Sequence, residues 1–423
     1  MVSLDLEFVR SHFPAFTHPD SRQWAHLENA GGSYVPNQVI SILQDFYTSS
    51  KVQPYWKFGP SAKAGQAMDR AVEVIPATFN ASPNEVHFGP STSQNTYVLA
   101  NALRPDWDSG DNIIVTNQDH EANIGAWRRL EETGIEIREW RVNPETGLLD
   151  IDQLAQLICS KTRLVAVTHA SNLAATINPL CSIAELVHGV GGLLVADGVS
   201  FAPHAAIDVQ ELNCDIYLYS TYKTYGPHLG LMFASENISH KVTNQGHFFN
   251  ADKPTYRLTP AGPDHASVAA CAGMVDYYED IYHHHFPSGS ENLRERLEKV
   301  FELFGEHEEQ LMEPLINYIL SREDFRLIGT NSKSRIERAP TVAFHSYTKS
   351  SEAIYDSLID AKVSCGHGNF YAHRLTEAVG LNAEDGVVRL SMVHYNTMDE
   401  VTRAIDALQS VSYTHLRAHE TTN

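Results

Sequence analysis

The sequence predicts a doubly wound α/β domain built on a mostly parallel sheet, followed by a smaller α+β domain. Three observations predict it. Between about residues 80 and 235, short apolar runs alternate with amphipathic stretches, as strands do when helices bury both faces of a sheet. The chain has 423 residues, 43% of them apolar, which is more than one core usually covers. After about residue 275 the pattern changes to one long charged helical stretch and two isolated strand-like runs.

The elements follow in order. "EVHF" (85–88) is a short strand, and "GPSTSQNTYVLANAL" (89–103) turns into a helix. "DNIIVTN" (111–117) is a strand, and "ANIGAWRRLEETG" (122–134) is a helix ending on Gly134. "TRLVAVTHAS" (162–171) is a strand. "SIAELVHGVGG" (182–192) reads as a helix with a capping box from Ser182 to Glu185 and glycines past its end. "GLLVADG", "DIYLYS" and "LGLMFAS" are further strands. In the smaller domain, residues 291–320 form a long helix, "PTVAFHSY" and "GVVRLSMVHY" are strands, and "TMDEVTRAIDAL" is a helix opened by a Thr397/Glu400 box. The expected organisation is an N-terminal segment (1–26) packing near the small domain, a large domain (27–275) and a small domain (276–411). Residues 412–423 follow as a polar, aperiodic tail, expected as a non-native extension, with a frayed native end as the alternative.

Charge narrows the function. The net charge of −21 argues against nucleic acid and anionic membrane as partners, since both are bound through Lys and Arg. No apolar run approaches the ~20 residues of a membrane span, and the first residues lack the basic-then-apolar order of a secretory leader. The five cysteines are scattered, odd in number and without CxxC spacing. A reducing cytoplasm is the simplest setting, with neither a disulfide frame nor a zinc site. The run His283 to His285 reads as solvated, because consecutive helical side chains point in different directions.

In a doubly wound sheet, ligands bind at the carboxyl ends of the strands, and four chemical groups fall there. Ser91, Thr92 and Ser93 precede a helix, where hydroxyls and free N–H groups hold an anion or simply cap the helix. Asp119 and His120 follow the strand "DNIIVTN", and His120 offers a ring that can stack or serve as an ordinary loop residue. Asp197 ends an apolar strand, where a carboxylate is costly without a cation beside it. Lys223 ends the next strand in "STYKTYGP", as a solvated lysine or a reactive amine. Together, a phosphate anchor, a stacking ring, an acid and an amine are what pyridoxal 5′-phosphate requires.

On "HLENAGGSYVP", "GPSTSQNTYVLAN", "DHEANIGAW", "THASNLAATINPL", the segment from "VADG" through "YKTYGPHLG", and "VRLSMVHYNTMDEV", the chain resembles the class V aminotransferase family of fold-type I pyridoxal-phosphate enzymes. It resembles specifically the cysteine desulfurase-like branch of that family, over about residues 8–411. The resemblance implies a Schiff-base role for Lys223, a pyridinium partner in Asp197 and a stacking ring in His120. It implies phosphate contacts from Thr92, Ser93 and Ser220. Tyr222 stands where desulfurases often carry a histidine that touches the phosphate. Asn172 and Arg389 match the pair that holds a substrate's α-carboxylate. A homodimer is implied as well, and "YWKFGPSAK" near residue 60 is a candidate to contribute across it.

The pattern also departs from the family. Asn369, in "VSCGHGNFYAHRL", stands where desulfurases carry their sulfur-accepting cysteine. Cys365 lies four residues earlier, as a buried small residue or a displaced nucleophile. Ser200 replaces a glutamine that approaches the cofactor, and Gly262 a threonine that reaches the partner's phosphate.

The expected function is pyridoxal-phosphate chemistry on a small α-amino acid, of desulfurase-like or C–S lyase type. An aminotransferase or epimerase of the same family is the alternative, and a non-catalytic scaffold the alternative of another class. A nicotinamide dehydrogenase would need GxGxxG after an early strand, and the sequence has none.

Overall fold

A computed structural model describes residues 2–287 and 289–420, the last ten by backbone alone. Seven strands form the large sheet: β1 (Val86–Gly89), β2 (Asn112–Thr116), β3 (Glu136–Trp140), β4 (Thr162–Thr168), β5 (Leu193–Asp197), β6 (Ile216–Ser220) and β7 (Gly230–Ala234). Their order is β1-β7-β6-β5-β4-β2-β3. The five strands from β6 to β3 pair in parallel, while β7 runs antiparallel to both β6 and β1. The link from Ser220 to Gly230 is too short for the helical crossover a parallel pair needs, so the chain turns back after Lys223. Strands β2, β6 and β7 are buried throughout, in keeping with their unbroken apolar runs.

One strand of this sheet carries no apolar run in the sequence. β3, "EIREW", alternates charged and apolar residues at the open edge of the sheet and is only half-buried. The helix after β4 also starts elsewhere than expected. It spans Leu180–His188 behind Pro179 and has no side-chain cap. Proline's fixed φ suits a helix start, so Ser182 and Glu185 lie inside the helix and form no box.

A second sheet of four strands packs β8 (Phe325–Leu327), β9 (Thr341–Ser346), β10 (Gly366–Gly368) and β11 (Val387–Ser391) in the order β10-β11-β9-β8, all antiparallel. A 28-residue helix, Leu293–Leu320, lies against it. The last helix, Met398–Glu420, opens on the Thr397/Glu400 box. The Glu400 amide donates to Thr397 Oγ1 (3.2 Å) and the Thr397 amide to Glu400 Oε2 (3.0 Å). Its backbone carries on through residues 412–420, the segment expected as a tail, and 421–423 lie outside the described residues.

The N-terminal segment touches both layers. Ala25 and His26 pair with Val363 and Ser364, and Arg10 bridges to Glu400 at 3.1 Å. The histidine run is not simply solvated. His284 stacks on Phe8 at 3.7 Å and bonds Asp5, and buried His285 accepts from the Asp5 amide. These rings dock the first helix. Among the described residues no helix is long and apolar enough to cross a membrane.

Candidate active site

The carboxyl ends of β1, β2, β4, β5 and β6 open on one cavity of about 160 Å³. Its lining includes Thr92, Ser93, His120, Asn172, Asp197, Ser200, Ser220, Tyr222 and Lys223. Residues spread over 130 positions of sequence meet there because parallel strands deliver their ends to one edge.

The serine-rich turn divides its work. Ser91 is extended, and its Oγ caps the helix Thr92–Leu103 by accepting from the Gln94 amide at 3.2 Å. Thr92 Oγ1 and Ser220 Oγ pair at 2.7 Å. β7 passes directly beneath this helix end, and a Cβ on Gly230 would sit 2.5 Å from the Thr92 nitrogen. Glycine there keeps the first-turn N–H groups at the cavity wall, where they suit an anion.

His120 caps the helix Glu121–Arg128, its Nδ1 accepting from the Ala122 amide at 3.0 Å. Burial, then the charges of Lys223 and Arg389, pushes its pKa down to about 4. The ring is therefore neutral and free to stack. Asp197 is buried, and its Oδ1 accepts from the Val199 amide at 2.8 Å. Burial lifts it to about 6, against the pull of Val199 and Lys223. Lys223 is 7% exposed. Burial and Arg389 bring its amine down to about 8, with Asp197 and Glu28 opposing. A lowered lysine is a better nucleophile and proton carrier near neutral pH.

Asn172 and Arg389 come together from opposite layers. Arg389 Nη1 donates to the Asn172 carbonyl at 3.2 Å. Nη2 donates to Glu28 Oε1 at 2.7 Å, and the guanidinium lies 3.8 Å from the Phe370 ring centroid. Arg389 Nε, Asn172 Oδ1 and Glu28 Oε2 are buried without a hydrogen-bond partner. Open donors and acceptors grouped this way mark room for a polar ligand.

The segment after β10 closes over the site. Phe370 and Tyr371 both adopt positive φ, 50° and 60°. The Phe370 carbonyl accepts from Asn172 Nδ2 at 2.9 Å and the Tyr371 carbonyl from the Glu121 amide at 2.9 Å. Asn369 turns aside and donates to the Ala383 carbonyl at 3.0 Å. Cys365 packs in the core beneath the small sheet, and burial pushes its thiol up to about 12. No cysteine lines the cavity. Gly262 is exposed in a loop outside the cavity lining.

Several site residues carried no sequence signal. His228 lines the cavity and stacks on Tyr222 at 4.8 Å, although a Gly-Pro turn separates the two. Glu28 and Phe370 reach Arg389 from distant segments. Buried Asp119 bonds Asn123 at 2.7 Å and Thr116. It was visible in "NQDHEAN", but only as a neighbour of His120.

Comparison with known proteins gives a consistent result. The Aminotransferase class-V family profile matches residues 25–404. The chain is 35% identical over 422 residues to "Aminotransferase-like protein FGM3" of Gibberella zeae, covering 97% of this chain and 99% of that protein. It is 30% identical over 432 residues to "Cysteine desulfurase-like protein ustD" of Aspergillus flavus, covering 96% and 91%. The apo structure of cysteine desulfurase from Thermococcus onnurineus superposes with a TM-score of 0.83 at 19% identity, over 97% of this chain and 99% of that one.

Proposed function

The chain belongs to the class-V aminotransferase family as a cysteine desulfurase-like enzyme, and on that premise we propose that it holds pyridoxal 5′-phosphate on Lys223 and acts on a small α-amino acid. The observation that carries this reading is the meeting of buried Lys223 and buried Asp197 with the hydroxyls of Thr92, Ser93 and Ser220 around one cavity. The donor set fits the cofactor. A helix N-terminus with two hydroxyls suits its phosphate, a neutral imidazole its ring face, a carboxylate its ring nitrogen and a low-pKa amine its aldehyde.

Pyridoxal phosphate, when bound, supplies an electron sink beside the substrate's Cα. The chain's residues do the rest. Arg389, with Asn172, grips the α-carboxylate and orients one bond at Cα. Asp197 keeps a proton on the ring nitrogen. Lys223 Nζ, as a neutral amine, would take and return the proton at the substrate's Cα. Phe370 would keep water from one face of the Arg389 guanidinium.

The same geometry supports release of a β-substituent to solvent rather than to the protein. The thiol position holds Asn369, which faces away, and Cys365 is buried in the core. C–S cleavage without a protein-bound persulfide is therefore our reading. Incubating cofactor-loaded protein with L-cysteine and reading products by mass spectrometry tests it. Pyruvate with free sulfide supports it, and alanine with sulfur left on the protein overturns it.

We also propose a homodimer in a reducing cytoplasm. Tyr55, Trp56, Phe58, Phe248 and Phe249 are each more than half exposed, an apolar surface that suits a partner, and all five cysteines are free. Sedimentation at twice the 47.1 kDa chain mass, falling to the single mass in Trp56→Glu, is the expected result.

A further inference from the structure

A second cavity, of about 630 Å³, lies between the segment after β5 and the helix Leu293–Leu320. Its far wall is a strap, residues 337–339, that pairs with residues 175–177 of the large-sheet layer. The Thr176–Arg338 bridge is flanked by Ile177 N to Glu337 O (3.0 Å) and Ala339 N to Ala175 O (2.9 Å).

Two buried charged groups of opposite sign line this cavity: Arg338 has its nitrogens on carbonyls but no counter-charge, and Glu308 pairs with His204 but keeps one open oxygen. Arg338 is 0% exposed. It donates only to backbone carbonyls: Thr341 at 3.1 and 3.3 Å, Ile328 at 3.2 Å, and Thr330. No carboxylate offsets its burial, which alone draws the guanidinium down to about 9. Glu308 is 1% exposed. Its Oε2 meets His204 Nδ1 at 2.9 Å, and its Oε1 has no hydrogen-bond partner. The His394 backbone N–H favours the carboxylate's charge without closing a bond to that oxygen. An unmatched buried cation and an open buried acceptor are both costly. A ligand carrying the two complementary groups offsets both.

We propose that this cavity binds a small zwitterion of the α-amino acid class, its carboxylate toward Arg338 and its ammonium toward Glu308. A plain anion would face Asp208, Glu211, Glu302, Glu308 and Glu309 in the same walls, and a plain cation would face Arg335 and Arg338. Phe201, Met312 and Ile336 select an apolar side chain. The volume falls within the ~300–1,000 Å³ of ordinary small-molecule sites.

The site is placed to act on the first cavity. Val199 and Ser200 line the active-site cavity, while Phe201 and His204 line this one. His169 stacks on Phe201 at 3.7 Å and donates its backbone N–H to the Asp197 carbonyl at 2.7 Å. A ligand against Phe201 therefore presses on the backbone that carries Asp197.

The test titrates each proteinogenic amino acid calorimetrically into holoenzyme pretreated with borohydride, which fixes the cofactor to Lys223 and bars amino acids from joining it. At least one apolar amino acid is expected to bind once per chain with Kd below about 1 mM. Glu308→Gln weakens it roughly tenfold. Ala205→Trp, which fills the cavity from its wall, abolishes binding. The matching amine and the matching carboxylic acid bind roughly tenfold more weakly than the amino acid. Absence of saturable binding, or binding that Ala205→Trp leaves unchanged, overturns the proposal. Failure of borohydride to fix a chromophore counts against the cofactor reading alone, and the same titration still decides the second cavity.

Discussion

Glu28 Oε1 lies 2.7 Å from Arg389 Nη2, so the guanidinium suited to a substrate carboxylate already holds an internal one. Arg389 is 3% exposed and shielded by Phe370, which makes the pair partly desolvated and hard to ignore energetically. A substrate carboxylate must displace Glu28 or share the fork with it. Glu28→Gln is expected to tighten amino-acid binding about threefold to tenfold, because the competing charge is gone. Arg389→Lys is expected to weaken it about 10- to 100-fold, because the planar fork is lost. Titration of the cofactor's absorbance with substrate measures both. Weaker binding in Glu28→Gln would make Glu28 a positioning residue for Arg389 instead.

Lys223 gives a kinetic prediction. Only the neutral amine attacks an aldehyde, and burial lowers this lysine to about 8. The rate at which cofactor-free protein takes up pyridoxal phosphate should rise with pH and level off above a midpoint near 8. An ordinary lysine would still be rising at pH 10, since its pKa is about 10.4. Stopped-flow absorbance reads the rate, and Lys223→Ala should form no such chromophore.

Cys365 gives a prediction of indifference. Its thiol lies in the small-sheet core and is pushed up to about 12, so the nucleophilic thiolate is scarce. Cys365→Ala should cost about 1 kcal/mol of stability through the small void it leaves. It should leave turnover of L-cysteine within about twofold of the parent. Loss of turnover with normal melting would return Cys365 to the chemistry.

The sequence was legible where burial is complete and local. Buried strands such as β2 and β6 wrote unbroken apolar runs, and the residues at their ends were legible as a set because the parallel order implies one shared edge. Edge strand β3 was not, since one exposed flank removes the apolar run. The Ser182–Glu185 pattern misled because Pro179 starts the helix first. The pairing of Glu28 with Arg389 spans 361 positions, and no local pattern encodes it. His284 and His285 looked solvated because only the packed N-terminal helix reveals Phe8 and Asp5 as their partners.

Asp119 should contribute to the pH dependence of stability in the cofactor-free protein. Burial raises its pKa from 3.8 to about 7, helped by the charge of Asp197, while Asn123 and Thr116 oppose the shift. The folded state therefore holds a proton that the unfolded state has released. That contribution is fully present below pH 4 and is lost as pH rises through 7. It amounts to at most about 4 kcal/mol; Asp197, raised to about 6, slopes the same way, while the buried neutral imidazoles of His87, His120 and His169 slope the opposite way. Chemical denaturation of the cofactor-free parent and Asp119→Asn at pH 5 and pH 8 isolates the Asp119 contribution. Asp119→Asn should raise stability at pH 8 relative to pH 5, since the neutral amide needs no proton. Its oxygen can still accept from Asn123 or Thr116, but not from both as the carboxylate does. A pH 5-to-8 difference left unchanged by Asp119→Asn would show that Asp119 makes no such contribution.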